Sequence, residues 1–284
     1  MQTIREIGPL RDAIASFRAT GERVALVPTM GALHAGHIAL IEEAKRVGTR
    51  IVASIFVNPK QFGPEEDLDR YPRREGADAR MLADAGCDVL WMPPVEVMYP
   101  AGFATNVSVS GISETLDGAA RPGHFDGVAT VVAKLFNQVR PDVALFGNKD
   151  FQQLTVIRRM VIDLDFDIEI VGVQTQRDDD GLALSSRNLY LSDEDRARAV
   201  TLPRALGVAA RAIGRGDDAG EALEAARGAL IAGGFDTVDY VAMVDAETLA
   251  DMPAADRPRR LLAAARIGGT RLIDTIPIED AEQG

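Results

Sequence analysis

The chain has 284 residues, 46% hydrophobic and 26% charged, the composition of a folded globular protein long enough for two domains. Its 31 lysines and arginines against 43 acidic residues leave a formal net charge of −12, which argues against nucleic acid as the main partner and favours small anionic ligands held by local basic groups. No apolar run approaches the roughly 20 residues that cross a bilayer, Met1-Gln2-Thr3-Ile4-Arg5 lacks a secretory apolar core, and the lone cysteine, Cys87, fits a reducing cytoplasm as inert packing.

Apolar runs at 24–28, 50–57, 89–92 and 143–146 read as buried strands, and amphipathic stretches at 38–47, 73–85 and 128–139 as the helices between them. Such alternation predicts a doubly wound, Rossmann-like parallel α/β sheet, which binds ligands beyond the carboxyl ends of its strands. The Gly- and Pro-rich segments fall there. After the first of these strands comes Pro28-Thr29-Met30-Gly31-Ala32-Leu33-His34-Ala35-Gly36-His37, a turn that opens a helix. A helix N-terminus presents backbone N–H groups and a positive dipole, which suit phosphate. His34 and His37, three apart, share one face there, and Gly36 lets a ligand approach the backbone. Two histidines that merely cap or pack the helix start give the same pattern.

Asn58-Pro59-Lys60-Gln61-Phe62-Gly63 ends the next strand, because Pro59 cannot donate to a ladder. It reads as a turn. Gln61 within it offers an amide that can donate to a carboxylate and accept from a hydroxyl. Asp67-Leu68-Asp69-Arg70-Tyr71-Pro72-Arg73 reads as a charged loop entering a helix. Arg121-Pro122-Gly123-His124-Phe125-Asp126-Gly127 reads as a turn with two potential cations. In Gly147-Asn148-Lys149-Asp150-Phe151-Gln152-Gln153, Lys149 can meet a phosphate and Asp150 can cap the helix that follows.

From Gln176 the texture changes. A charged turn, Arg177-Asp178-Asp179-Asp180-Gly181, leads into Leu184-Ser185-Ser186-Arg187-Asn188. Two Ala-rich helices at 193–215 and 219–233 follow, then strands at 238–244, 260–267 and 272–276. The division expected is a Rossmann-like domain over 1–175, binding nucleotide and acid substrate, and a smaller α+β lid domain over 176–284 hinged near 176.

His34-Ala35-Gly36-His37 resembles the His-x-Gly-His signature of the nucleotidylyltransferase and class I aminoacyl-tRNA synthetase superfamily. Together with Phe56-Val57-Asn58-Pro59-Lys60-Gln61-Phe62, Asp69-Arg70-Tyr71-Pro72-Arg73, Arg121-Pro122-Gly123-His124-Phe125, the 147–153 segment and Leu184-Ser185-Ser186-Arg187-Asn188, it makes nearly the whole chain resemble the pantoate–β-alanine ligase (pantothenate synthetase) family. The resemblance implies a ligase that joins pantoate to β-alanine through a pantoyl adenylate, releasing pyrophosphate and AMP. It implies ATP held by Met30, Gly31, Ala32, Leu33, His34, Ala35, Gly36, His37, Gly147, Asn148, Lys149, Asp150, Gln176, Leu184, Ser185, Ser186 and Arg187. His37, His34, Lys149 and Arg187 would carry the catalytic charge stabilisation. Gln61 and Gln153 would hold pantoate, Gln61 also lying near β-alanine, and Gln176 would meet adenine through its backbone. It further implies Mg²⁺ with ATP, a homodimer in the cytoplasm, and no membrane or nucleic-acid partner.

The chain departs from the family pattern at two places. Ala77 and Asp78 stand where an acidic pair is usual, leaving Asp78 alone as a metal ligand, and Asn148 stands where Glu is usual. Three other readings compete. A nucleotidylyltransferase with a phosphate acceptor would need basic residues where Gln61 and Gln153 stand. A tRNA synthetase fits the acidic balance poorly. A non-catalytic nucleotide sensor would bind ATP without needing His37 or Arg187.

Overall fold

In the computed structural model, which describes residues 1–64 and 66–280, the first half of the chain runs β1 (Gln2–Ile4), α1 (Ile7–Ala19), β2 (Val24–Thr29), α2 (Ala35–Val47), β3 (Arg50–Ile55), α3 (Glu75–Asp84), β4 (Val89–Trp91), α4 (Val95–Met98), α5 (Asp117–Ala120), α6 (His124–Val139), β5 (Val143–Gly147), α7 (Phe151–Asp163) and β6 (Glu169–Val173). All six strands are parallel, in the order β1-β4-β3-β2-β5-β6. Val24, Ala25, Leu26 and Val27 are wholly buried. A strand covered on both faces has no solvent side, so it reads as a continuous apolar run instead of an alternating one. Ala25, Val27, Ile41, Ala53, Leu90 and Leu145 form the core on one side of this sheet.

The strand order reverses at β2. The chain passes outward through β3 and β4, then returns to lay β5 on the other side of β2. That reversal opens a crevice at the carboxyl end of β2, the place where sheets of this kind take their ligands. The segment with both histidines leaves β2 at that point. The outer strands were not legible in the sequence. In β1 only Ile4 is buried, and β6 is exposed at Glu169 and half-buried beyond it, so neither carries an apolar run.

The sheet belongs to a unit comprising Met1–Gly147 and Val156–Gln174. A second unit holds Asn148–Thr155 together with the chain from Thr175 onward. It contains α8 (Asp193–Ala199), α9 (Thr201–Gly214), α10 (Ala219–Ala232), β7 (Thr237–Asp245), β8 (Arg259–Ile267) and β9 (Thr270–Ile278). The strands form an antiparallel sheet in the order β7-β8-β9. Leu206, Ile213, Leu230, Phe235, Leu261 and Ala263 close the core between sheet and helices. The single helix expected over 193–215 is broken at Val200. Pro203 has no N–H to give the Ala199 carbonyl, so it serves instead in the first turn of a new helix. Ser192 and Asp218 cap α8 and α10, accepting from the N–H groups of Asp195 and Glu221.

Candidate active site

The turn between β2 and α2 starts with Thr29, whose hydroxyl donates to the Ser54 carbonyl at 2.7 Å and accepts from the Gly31 N–H at 3.2 Å. Gly31 and Ala32 then take positive φ, 85° and 51°. The successive N–H groups of Ala32 and Leu33 thereby converge on one carboxylate, that of Asp78, at 2.9 and 3.0 Å. A Cβ on Gly31 would lie 3.1 Å from the same carboxylate and 3.2 Å from Ile55, so glycine suits the position twice over.

Asp78 is 2% exposed, with each oxygen taken by an amide. Among the described residues no group of three or more His, Cys, Asp or Glu side chains could hold a metal ion. The residues do not fit a protein-held magnesium. Asp78 shapes the turn instead, and the Ala32 and Leu33 amides point to it.

His34 is the N-cap of α2, with extended backbone. Its Nδ1 accepts from the Gly36 N–H at 3.1 Å, and the His37 Nδ1 accepts from the His34 N–H at 3.2 Å. Both histidines therefore cap the helix. This takes up amides that the sequence offered to phosphate, and it decides the tautomers: with each Nδ1 accepting, each neutral ring carries its proton on Nε2. The ring centroids are 4.1 Å apart and tilted by 48°. Capping and anion recognition are thus compatible, with imidazole N–H groups taking the place of main-chain ones.

The next turn, a 3₁₀ turn over Pro59–Gln61, follows β3. Asn58 is 1% exposed and Gln61 9%. The orientation of both amides follows from one group that cannot be reversed. The Lys60 main-chain N–H donates to Asn58 Oδ1 at 3.2 Å, and the Tyr99 hydroxyl donates to the same oxygen at 2.8 Å. Asn58 Nδ2 is then a donor, to Gln61 Oε1 and to the Gly127 carbonyl, each at 3.0 Å. Gln61 Nε2 is left as the donor end, 3.1 Å from the Met30 sulfur. Gln61 was expected to donate and accept; here its oxygen already accepts from Asn58, and its Nε2 is the donor end. Gly127 of α6 lets the turn come this close, since a Cβ there would lie 2.3 Å from the Lys60 carbonyl oxygen.

The pair Arg121 and His124 is not two solvated cations. Arg121 grips Glu66 with Nε and Nη2, both at 2.7 Å, and its Nη1 lies 3.0 Å from His124 Nε2. Burial, then the Arg121 charge, push the His124 pKa down to about 4, so the ring is neutral. Burial alone would raise the Glu66 carboxyl, but the Arg121 hydrogen bonds and charge hold it at about 2.

The second unit gathers its own candidates. Asn148–Asp150 forms a 3₁₀ turn, with Lys149 Nζ 3.7 Å from the Asp150 carboxylate. This turn and the one over Ser186–Tyr190 both lie against β9. Ser185 caps the latter, its hydroxyl accepting from the Arg187 N–H at 3.3 Å. The Gln176 carbonyl accepts from the Leu184 N–H at 2.9 Å. Arg177 pins this loop to β9 through a two-point pair with buried Asp274 at 2.7 and 2.8 Å. Arg260 lies 4.5 Å from the centroid of the Phe151 ring and donates to Thr275 Oγ1 at 2.8 Å; burial lowers its pKa to about 10. Gln153 is half-buried near the start of α7.

In each unit, then, expected site residues come together. Met30, His34, His37, Gln61 and Asp78 share one region of the first; Lys149, Asp150 and Ser185 to Arg187 flank one strand of the second. Sequence reasoning assigned no role to Asn58, Tyr99, Glu66, Gly127, Arg177, Asp274 or Arg260. Asn58 opens the Asn58-Pro59-Lys60-Gln61-Phe62-Gly63 motif, which was a usable signal. The ion pairs join residues far apart in the chain and left none.

A parallel α/β sheet with paired histidines at a helix start beside its reversal point defines a nucleotide-binding enzyme of the His-x-Gly-His type. The family model for pantoate-beta-alanine ligase matches residues 2–277. The pantothenate synthetase of Rhizorhabdus wittichii is 65% identical over 281 residues, covering 99% of this chain and all of that one, and that of Sphingopyxis alaskensis is 57% identical over 98% of this chain and all of that one. Among solved structures, pantothenate synthetase from Thermus thermophilus superposes with a TM-score of 0.93 at 50% identity, covering 98% of this chain and all of the other. The pantoate-beta-alanine ligase from Francisella tularensis, described as complexed with beta-gamma ATP and beta-alanine, gives 0.84 at 32% identity over 99% of each. This chain belongs to the pantoate–β-alanine ligase family.

Proposed function

We propose that the chain carries out its family's ligation in two steps. The pantoate carboxylate attacks the α-phosphorus of ATP, the bond to the β-phosphate oxygen breaks, and pyrophosphate leaves a pantoyl adenylate. The β-alanine amine then attacks the acyl carbon, loses its proton, and displaces AMP. A carboxylate is a poor acyl donor and a mixed phosphate anhydride a good one, so the work left to the protein is positioning and charge stabilisation. His34 and His37 stabilise phosphate charge through Nε2–H, acting as hydrogen-bond donors, because pyrophosphate needs no proton to leave at neutral pH. Gln61 and Gln153 hold pantoate, and Gln61 also lies near the incoming amine.

Lys149, Ser185, Ser186 and Arg187 serve phosphate, Asp150 the ribose hydroxyls, and Gly147, Asn148, Leu184 and Gln176 the rest of the nucleotide. Asn148 at a family glutamate position is compatible with this role. Magnesium arrives on ATP as its counter-ion, since Asp78 is engaged with amides. A cytoplasmic homodimer is the assembly and location proposed. The lone buried cysteine supports the compartment, no helix among the described residues is long and apolar enough to cross a membrane, and the dimer rests on family resemblance.

The observation that carries the acceptor assignment is the fixed amide chain from the Lys60 N–H through Asn58 to Gln61. It presents a neutral donor, suited to a carboxylate and unable to neutralise a phosphate acceptor. Exchange of labelled pyrophosphate into ATP should require pantoate and Mg²⁺ and proceed without β-alanine. Exchange that begins only when β-alanine is added would overturn the adenylate route.

A further inference from the structure

The main-chain carbonyl of Gln61 is held as closely as its side chain. Arg121 can only donate, so His124 Nε2, 3.0 Å from Arg121 Nη1, must accept. The ring proton therefore sits on Nδ1, which donates to the Gln61 carbonyl at 2.9 Å. Arg121 Nη2 reaches the same oxygen at 3.4 Å, and Nε and Nη2 are aligned by their bonds to the Glu66 carboxylate. Glu66 thus orients Arg121, Arg121 orients the imidazole, and the imidazole holds the turn. With Asn58 on Oε1, the residue is restrained at both of its acceptors, and only Nε2–H remains as a directed donor. A glutamine side chain loses rotamer freedom when it is ordered, and here that ordering precedes any ligand.

We propose that His124, Arg121 and Glu66 are positioning residues for the acid substrate, acting through the Gln61 carbonyl to set where the Gln61 amide meets the pantoate carboxylate. The inference rests on the ligase reading above and adds residues to the acceptor side of that site. None of the three needs to touch substrate.

The test is steady-state kinetics on His124→Leu and His124→Asn. Leucine fills the site without a donor, whereas asparagine places an N–H near the position of Nδ1. His124→Leu should raise the pantoate KM about tenfold or more, the effect of one lost buried hydrogen bond, with the ATP KM within about twofold. His124→Asn should recover most of that change. In a Gln61→Ala background, His124→Leu should add no further pantoate effect, because both act through one group. A merely structural role moves the pantoate and ATP parameters together and is not rescued by asparagine. Such a result, an unmoved pantoate KM, or additive effects in the double variant would each overturn the proposal. If His124→Leu does not fold, Glu66→Gln carries the same test through Arg121, with a pantoate-selective rise in KM expected and its absence decisive. A wild-type chain that shows no pantoate-dependent exchange refutes the ligase reading; a competent wild type with unmoved variants refutes the positioning role alone.

Discussion

After β2, the chain from Met30 to His37 is held largely by its own neighbours: His34 accepts from an amide two residues on, and His37 from one three residues back. Asp78 adds a remote support. After β3, the turn Pro59–Gln61 depends on groups that arrive from far along the chain. Tyr99 is 41 residues from Asn58, Arg121 and His124 are 60 and 63 residues from Gln61, and Gly127 is 69 from Asn58. A site held locally tolerates change elsewhere in the fold and fails when its own residues change. A site held from a distance fails at residues that never meet the ligand.

The largest effect expected is on the local side. His34→Asn keeps an N-cap residue of the preferred kind, so the start of α2 and the thermal midpoint should be preserved. It removes the Nε2 donor. Adenylate formation should fall roughly 10²–10³-fold, the range for losing one preorganised donor. Normal pyrophosphate exchange in this variant would reduce His34 to a cap, and the contrast between the two turns would lose its chemical half.

The distant supports give the next effect. In an exposed helix, replacing glycine with alanine gains about 1 kcal/mol. At Gly127 the added methyl would lie 2.3 Å from the Lys60 carbonyl oxygen and 2.6 Å from the Gln61 nitrogen. Either α6 or the turn must yield, at a cost of about 1–3 kcal/mol. Gly127→Ala should impair pantoate saturation while ATP binding, measured without pantoate, stays close to wild type. Loss of ATP binding with intact pantoate use would mean that the turn serves the other ligand.

The same contrast governs what could be read from the sequence. The buried strands β2, β3 and β5 and the helix after the first of them were legible because a two-face burial or a 3.6-residue period writes itself into consecutive residues. So was the His34–His37 pair, whose cap depends on spacing. Asn58 and Gln61 were legible as residues of a turn, yet their donor and acceptor directions follow from the Lys60 N–H, which no pattern reveals. Arg121 and His124 looked like cations because side-chain charge was judged without its surroundings. Only the fold brings Glu66 to one and buries the other. Asp78 looked like a metal ligand for the same reason: nothing local indicates that the two amides of a positive-φ turn, 45 and 46 residues away, take its oxygens.

The smallest effect is the acid response of the distant support. Burial, then Arg121, hold His124 at about 4, below the ordinary 6.5; the charged groups facing the ring are Arg121, Asp117 and Glu66. Between those two values the unfolded chain binds a proton that the folded chain refuses, so stability rises with pH across the window and is lost as pH falls from 6.5 toward 4. Each pKa unit is worth 1.36 kcal/mol, so lowering the pH from 7.5 to 5.0 should cost the wild type about 1–2 kcal/mol through this ring alone. Glu66 acts lower down: its folded value of about 2 lies below the ordinary 4.5, so its contribution is present above 4.5 and fades as pH falls toward 2. Urea unfolding at pH 7.5 and 5.0 separates the two windows. His124→Gln, which cannot titrate, should lose less stability than the wild type by that 1–2 kcal/mol, and both proteins should weaken alike below pH 4. Equal losses between pH 7.5 and 5.0 would show that the imidazole is not held neutral against the turn.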